Sequence, residues 1–106
     1  MAKYLVEASY THEGLKGLLK EGGTGRRAAI ETAVKGLGGS VESFYYVFGD
    51  DDVLVIIDMP DHISAAALSL GVGAAGGATT SLRVLISAEE IDAAVKKTIE
   101  YRAPGR

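Results

Sequence analysis

The chain contains no cysteine. Disulfides, thiolate catalysis and cysteine-ligated zinc are therefore excluded, and the composition suits a reducing compartment. Net positive charge is also missing. The formal charge is −3, which leaves no basic footprint for nucleic acid. Long apolar runs are absent as well. The N-terminus enters YLVEASY at once, with Glu7 inside the only early apolar stretch, so no secretory leader is expected. The weakly polar run from Ile63 to Ala78 is Gly/Ala-rich and too short for a membrane span. No internal repeat and no linker interrupts the sequence, and 106 residues leave room for one domain, 1–106. What remains is 47% hydrophobic and 24% charged, an ordinary globular composition. A cytoplasmic protein without membrane or nucleic-acid partners is the expectation.

The stretch VESFYYVFGDDDVLVIIDMPD, Val41 to Asp61, organises the pattern. Two apolar runs flank a short acidic turn, which predicts a hairpin of Val41–Phe48 and Val53–Asp58 around Gly49–Asp52. Before it, Lys3–Tyr10 alternates Tyr4, Val6, Ala8 and Tyr10 against Leu5, Glu7 and Ser9, the period of a strand. Thr11 is a candidate N-cap for a short helix carrying Leu15, Leu18 and Leu19 on one face. Gly14 and Gly17 weaken that helix by roughly 1 kcal/mol each. Gly22 and Gly23 are expected to break it. A second helix then follows over Gly25–Leu37, with Ala29, Ile30, Ala33, Val34 and Leu37 as its stripe.

Beyond the hairpin, Pro60 suits a first helical turn. Ile63, Ala66, Ala67 and Leu70 form the predicted stripe of that helix. Thr79–Ile86 alternates as a fourth strand. Ser87-Ala-Glu-Glu90 is a capping box that opens a last helix with Ile91, Ala94, Val95 and Ile99. The order β-α-β-β-α-β-α is the split βαβ arrangement of the ferredoxin-like fold with an added C-terminal helix. Its class is α+β, a four-stranded antiparallel sheet with the helices on one face.

That leaves the other face of the sheet. With a Gly49–Asp52 turn, Phe48, Tyr46 and Phe44 oppose Val53, Val55 and Ile57. The reverse face pairs Val47 with Leu54, Tyr45 with Ile56 and Ser43 with Asp58. Both faces are apolar, whereas a sheet with one wet face alternates with polar residues. Two coverings are open. A second copy facing the sheet would make a dimeric α/β barrel, or the C-terminal helix would fold across. Strands one and four add Glu7, Ser9 and Arg83 to that face. Glu7 and Arg83 are placed to pair there, so the space between two sheets is the expected small-molecule pocket, walled by Glu7, Ser9, Tyr45 and Arg83.

The most specific segments are Tyr10-Thr-His-Glu-Gly-Leu-Lys-Gly17 and the aromatic strand running into Gly49. With YLVEASY, the Gly-Gly-x-x-Arg-Arg stretch and the order of elements, the chain resembles the GYD domain family. That family comprises small, mostly bacterial proteins grouped with the dimeric α/β-barrel, ferredoxin-like proteins. The resemblance covers nearly the whole chain and implies that fold and a homo-oligomer rather than a reaction. In Gly49-Asp-Asp-Asp52 the Gly and the final Asp of the signature are kept. Asp51 stands where its Tyr is expected, so no role of that Tyr carries over.

Other motifs carry weaker signals. Gly71-Val-Gly-Ala-Ala-Gly76 matches G-x-G-x-x-G, yet a helix precedes it and a strand follows, the reverse of a dinucleotide fingerprint. Gly22-Gly-Thr-Gly-Arg-Arg27 offers helix-start N–H groups beside Arg26 and Arg27, a candidate anion site; the plain alternative is a solvated helix break. His12, with Tyr10, Glu13 and Lys16, is the candidate acid–base group. It would serve a cofactor-independent oxygenase or isomerase, an alternative resting on fold analogy alone. His62 with Asp58 and Asp61 is a weak metal pattern, Asp50–Asp52 lacks the spacing of a calcium loop, and no metal or cofactor is expected. A third reading is a structural or partner-binding module.

Overall fold

A computed structural model describes residues 1–106. The elements are β1 (Ala2–Tyr10), α1 (His12–Gly36), β2 (Ser40–Tyr46), β3 (Val53–Met59), α2 (His62–Ala74), β4 (Ala78–Leu85) and α3 (Ala88–Val95). The strands form one antiparallel sheet in the order β2-β3-β1-β4, and the chain is α+β with the ferredoxin-like order. The core lies between the sheet and α1 and α2. Tyr4, Val6, Val53, Val55, Ile57 and Met59 point into it from β1 and β3, and Val34, Ala65 and Leu68 come down from the helices.

Local chemistry sets the helix starts. The Thr11 side chain accepts from Gly14 N at 3.1 Å and its hydroxyl donates to Gly76 O at 2.8 Å, so the cap of α1 is also tied to the segment entering β4. Asp61 caps α2 by accepting from Ser64 N at 2.7 Å, and Pro60 lies outside the helix, not in its first turn. The Ser87–Glu90 capping box forms as the sequence predicts. Within α1 the expected break falls at Gly22, which at φ 78° and ψ 169° leaves helical geometry and separates two helices at a kink. Glycine reaches that left-handed φ without a Cβ penalty, and the second helix starts directly after it rather than at Gly25.

The hairpin register is shifted by two residues from the predicted one. Tyr46 pairs with Val53, Tyr45 with Leu54, Phe44 with Val55 and Ser43 with Ile56, with a bulge at Glu42 between Val41 and Ser43. The loop is therefore Val47–Asp52, and Phe48 sits at φ 50°. Tertiary bonds explain the longer loop. Asp52 N donates to Ala8 O at 2.9 Å, the Asp52 carboxylate accepts from Tyr10 N at 2.8 Å, and Asp51 accepts from the Ser9 hydroxyl at 3.0 Å. The acidic turn thus clips onto the end of β1. Phe48, predicted to face the helices, is exposed and stacks on Tyr46 with ring centroids 6.0 Å apart. Because the shift is even, Tyr46 and Phe44 still face the helices and Tyr45 still faces away.

Two predicted stripes are also corrected. On α2 the inward residues are Ala65, Leu68 and Val72, whereas Ile63, Ala66, Ala67 and Leu70 are exposed. On α1 Leu19 is exposed and the buried anchor is Val34. α3 buries none of its residues and leaves Ile91 and Val95 exposed; it does not fold across the open sheet face. The radius of gyration is 16.9 Å, against about 13 Å for a compact domain of this length. No helix is long and apolar enough to cross a membrane.

Candidate functional site

The open face of the sheet is built in cross-strand rows. Tyr45, Leu54, Glu7 and Ser81 form one row across all four strands, and Ser43, Ile56, Leu5 and Arg83 form the next. Alternation along each strand sends these side chains away from α1 and α2. Arg83 Nη1 reaches Glu7 Oε1 diagonally at 3.4 Å. That oxygen is shielded from solvent and receives no hydrogen bond. The Arg83 side chain is 68% exposed, so most of its guanidinium donors point into open space. Tyr45, 66% exposed, lies on the same face two strands from Glu7, across Leu54. Ser9 shares the face, but its hydroxyl is engaged by Asp51. The expected juxtaposition of Glu7, Arg83 and Tyr45 is therefore present on one surface, with an apolar strip of Leu5, Leu54 and Ile56 between them.

Nearer the rim, Lys3 Nζ bonds Asp58 at 2.8 Å and Glu42 at 3.0 Å. These bonds raise the lysine pKa, Asp58 contributing most. The Glu42 carboxylate that closes this triad comes from the β2 bulge.

The opposite side of the sheet holds a cleft that sequence reasoning did not place. It lies between α1 and α2, has a volume of about 540 Å³, and is walled mainly by Gly14, Gly17, Ala29, Ala33, Gly71 and Ala75. A smaller hollow of about 60 Å³ continues under it toward Phe44 and Val55, and Tyr10, Arg26 and Ile30 border both. Polar groups gather at one end: Tyr10, Glu21 and Arg26. Arg26 Nη1 donates to Glu21 Oε2 at 3.1 Å, a bond that raises the guanidinium pKa further. Burial, with Tyr46 adding to it, pushes the Tyr10 phenol up to about 12, so it stays a neutral hydroxyl at any ordinary pH. The Tyr46 hydroxyl donates to Gly23 O at 3.0 Å, just past the kink.

The two arginines of the Gly-rich stretch separate. Arg26 borders the cleft, while Arg27 is exposed and approaches Glu31 at 4.0 Å on the outer side of α1. His12 is exposed at the start of α1 and lines neither hollow. His62 is also exposed, with Asp61 committed to the α2 cap and Asp58 to Lys3. No three His, Asp or Glu side chains converge as a metal site.

No curated protein and no solved structure matches the chain. The GYD domain family model matches residues 4–95, from β1 to the end of α3. That span takes in all four strands except the first two residues of β1, the kinked α1 and the clipped acidic turn, and on it the chain belongs to the GYD domain family.

Proposed function

We propose that this GYD-domain protein works as a homo-oligomer, minimally a dimer closed sheet to sheet, which holds a small anionic molecule between the two sheets. The observation that carries this reading is the bare open face. Leu5, Leu54, Ile56 and Tyr45 lie together there, and nothing in the chain covers them. An uncovered apolar patch of that kind marks an interaction surface. A second copy of the same face satisfies it with two-fold symmetry.

Within that space the charged residues give the ligand its sign. Glu7 meets one edge of Arg83 at 3.4 Å, and the remaining donors of an always-charged planar fork are available to a carboxylate or phosphate. Tyr45 adds a hydroxyl. A cofactor-independent acid–base enzyme would need a general base here. His12 begins α1, which packs on the other side of the sheet, so of the two expected acid–base groups Tyr45 alone lies on this face. The Glu7 carboxylate there is already turned to Arg83, which makes binding the better-supported role.

Inorganic phosphate is a suitable probe. In a titration followed by amide NMR shifts, resonances at Leu5, Arg83 and Tyr45 are expected to move in the wild type and to stay still in Arg83→Gln. Shifts that persist in Arg83→Gln, or that fail to appear in the wild type, contradict the anion site.

A further inference from the structure

We propose that the cleft between α1 and α2 is a second ligand site, specific for a small carboxylic acid with an apolar body. The carboxylate would bond Arg26 and the Tyr10 hydroxyl, and the body would lie along Ala29, Ala33 and Val72. This site lies on the helix side of the sheet, within one chain, and does not depend on the dimer.

The cleft exists because its walls are short. Gly14, Gly17, Gly71 and Ala75 face it, while the helices' large side chains Leu19 and Leu70 are 87% and 74% exposed. Ile30, Leu37, Leu68 and Val72 line its apolar part without filling the gap that the glycines and alanines leave. Its volume of about 540 Å³ falls in the range of small-molecule sites, which are apolar with a few convergent polar groups.

Those groups select the ligand. Arg26 cannot lose its charge. Its geometric hydrogen bond goes to Glu21 and the guanidinium also lies against the Tyr10 hydroxyl, so the N–H groups beyond these two contacts remain for an incoming anion. Glu21 immediately precedes the Gly22 kink and is half-exposed, so it can yield Arg26 to a ligand carboxylate by turning into solvent. The Tyr10 phenol keeps its proton and supplies a second, neutral donor. An amine in the same place would meet the Arg26 guanidinium and could gain only Glu21, whose carboxylate is already paired with it. The hollow of about 60 Å³ beside Arg26 and Ile30 gives the apolar part a deeper seat.

Octanoate and octylamine separate the possibilities, measured by calorimetry and amide shifts on both the wild type and the sheet-face variant Leu54→Asp. Octanoate is expected to bind both proteins and to shift Tyr10, Ala33 and Gly71. Arg26→Gln should weaken it at least tenfold. Glu21→Gln, which frees the guanidinium, should strengthen it severalfold. Ala33→Phe, which fills the cleft, should abolish binding. The proposal is overturned if octanoate fails to bind at millimolar concentration. Equal or tighter binding of octylamine, or a Glu21→Gln variant that binds more weakly, also overturns it. Loss of the dimer alone leaves it intact.

Discussion

Tyr10 illustrates how much one side chain can be redirected by its surroundings. In sequence it is the last inward residue of β1. In the fold its amide is held by Asp52 and its ring borders both hollows of the helix side. Burial raises its phenol from 10.0 to about 12. The unfolded chain therefore ionises this tyrosine first, and the stability it contributes is complete below pH 10, then lost as pH rises through 12. Absorbance titration of tyrosinate should show a late step near 12 that Tyr10→Phe removes, and the variant's stability should fall less steeply across that window. Arg26 and Arg27 part company for a similar reason. They are adjacent in sequence but lie about 100° apart around the helix, so one faces the cleft and the other solvent. A motif alone could not choose between them, because the choice depends on where α1 lies over the sheet.

At the scale of elements, α1 is positioned by its glycines. A Cβ at Gly14 would collide with the Gly77 carbonyl, to which Thr11 N also donates. At Gly17 an added Cβ would meet nothing within 4 Å. Gly14→Ala should therefore destabilise the protein by roughly 1–3 kcal/mol through forced separation of α1 from β4. Gly17→Ala should stabilise it by about 1 kcal/mol through helix propensity. Urea unfolding of the two variants checks both signs. The same glycines looked equivalent in sequence, because the close approach of Gly77 is a tertiary fact.

The strands show which signals were legible. Alternation placed Phe44 and Tyr46 inward and Tyr45 outward, and that survives a two-residue register shift because the period is two. The register itself was set by bonds from the acidic turn to β1, such as Ser9 to Asp51, which no local pattern encodes. The α2 stripe failed for another reason. Its run of alanines and glycines offers several faces of similar hydropathy, and docking on β4, aided by the 2.6 Å Ser69–Thr80 hydrogen bond, picks the one with Ala65 and Leu68. On the open face, Glu7 and Arg83 could be paired from sequence because the fold's strand order makes β1 and β4 neighbours. The cleft could not be foreseen, since it arises from what the helix side chains fail to fill.

At the scale of the whole molecule, the single chain exposes too much surface. Its accessible area is 7388 Å², whereas a compact monomer of 11.0 kDa exposes about 5,600 Å². The excess is larger than the roughly 800 Å² that each partner contributes to a standard interface. Part of it belongs to the projecting α3 and the largely exposed residues 96–106 that follow it, and part to the open sheet face. Both are what a second copy would be expected to cover. If the open face is, as proposed, an interface between two copies of this chain, sedimentation velocity at micromolar concentration will show it. A wild-type species of twice 11.0 kDa is expected, converted to a folded monomer by Leu54→Asp. A wild type that sediments as a monomer, or a Leu54→Asp variant that remains a dimer, would contradict it.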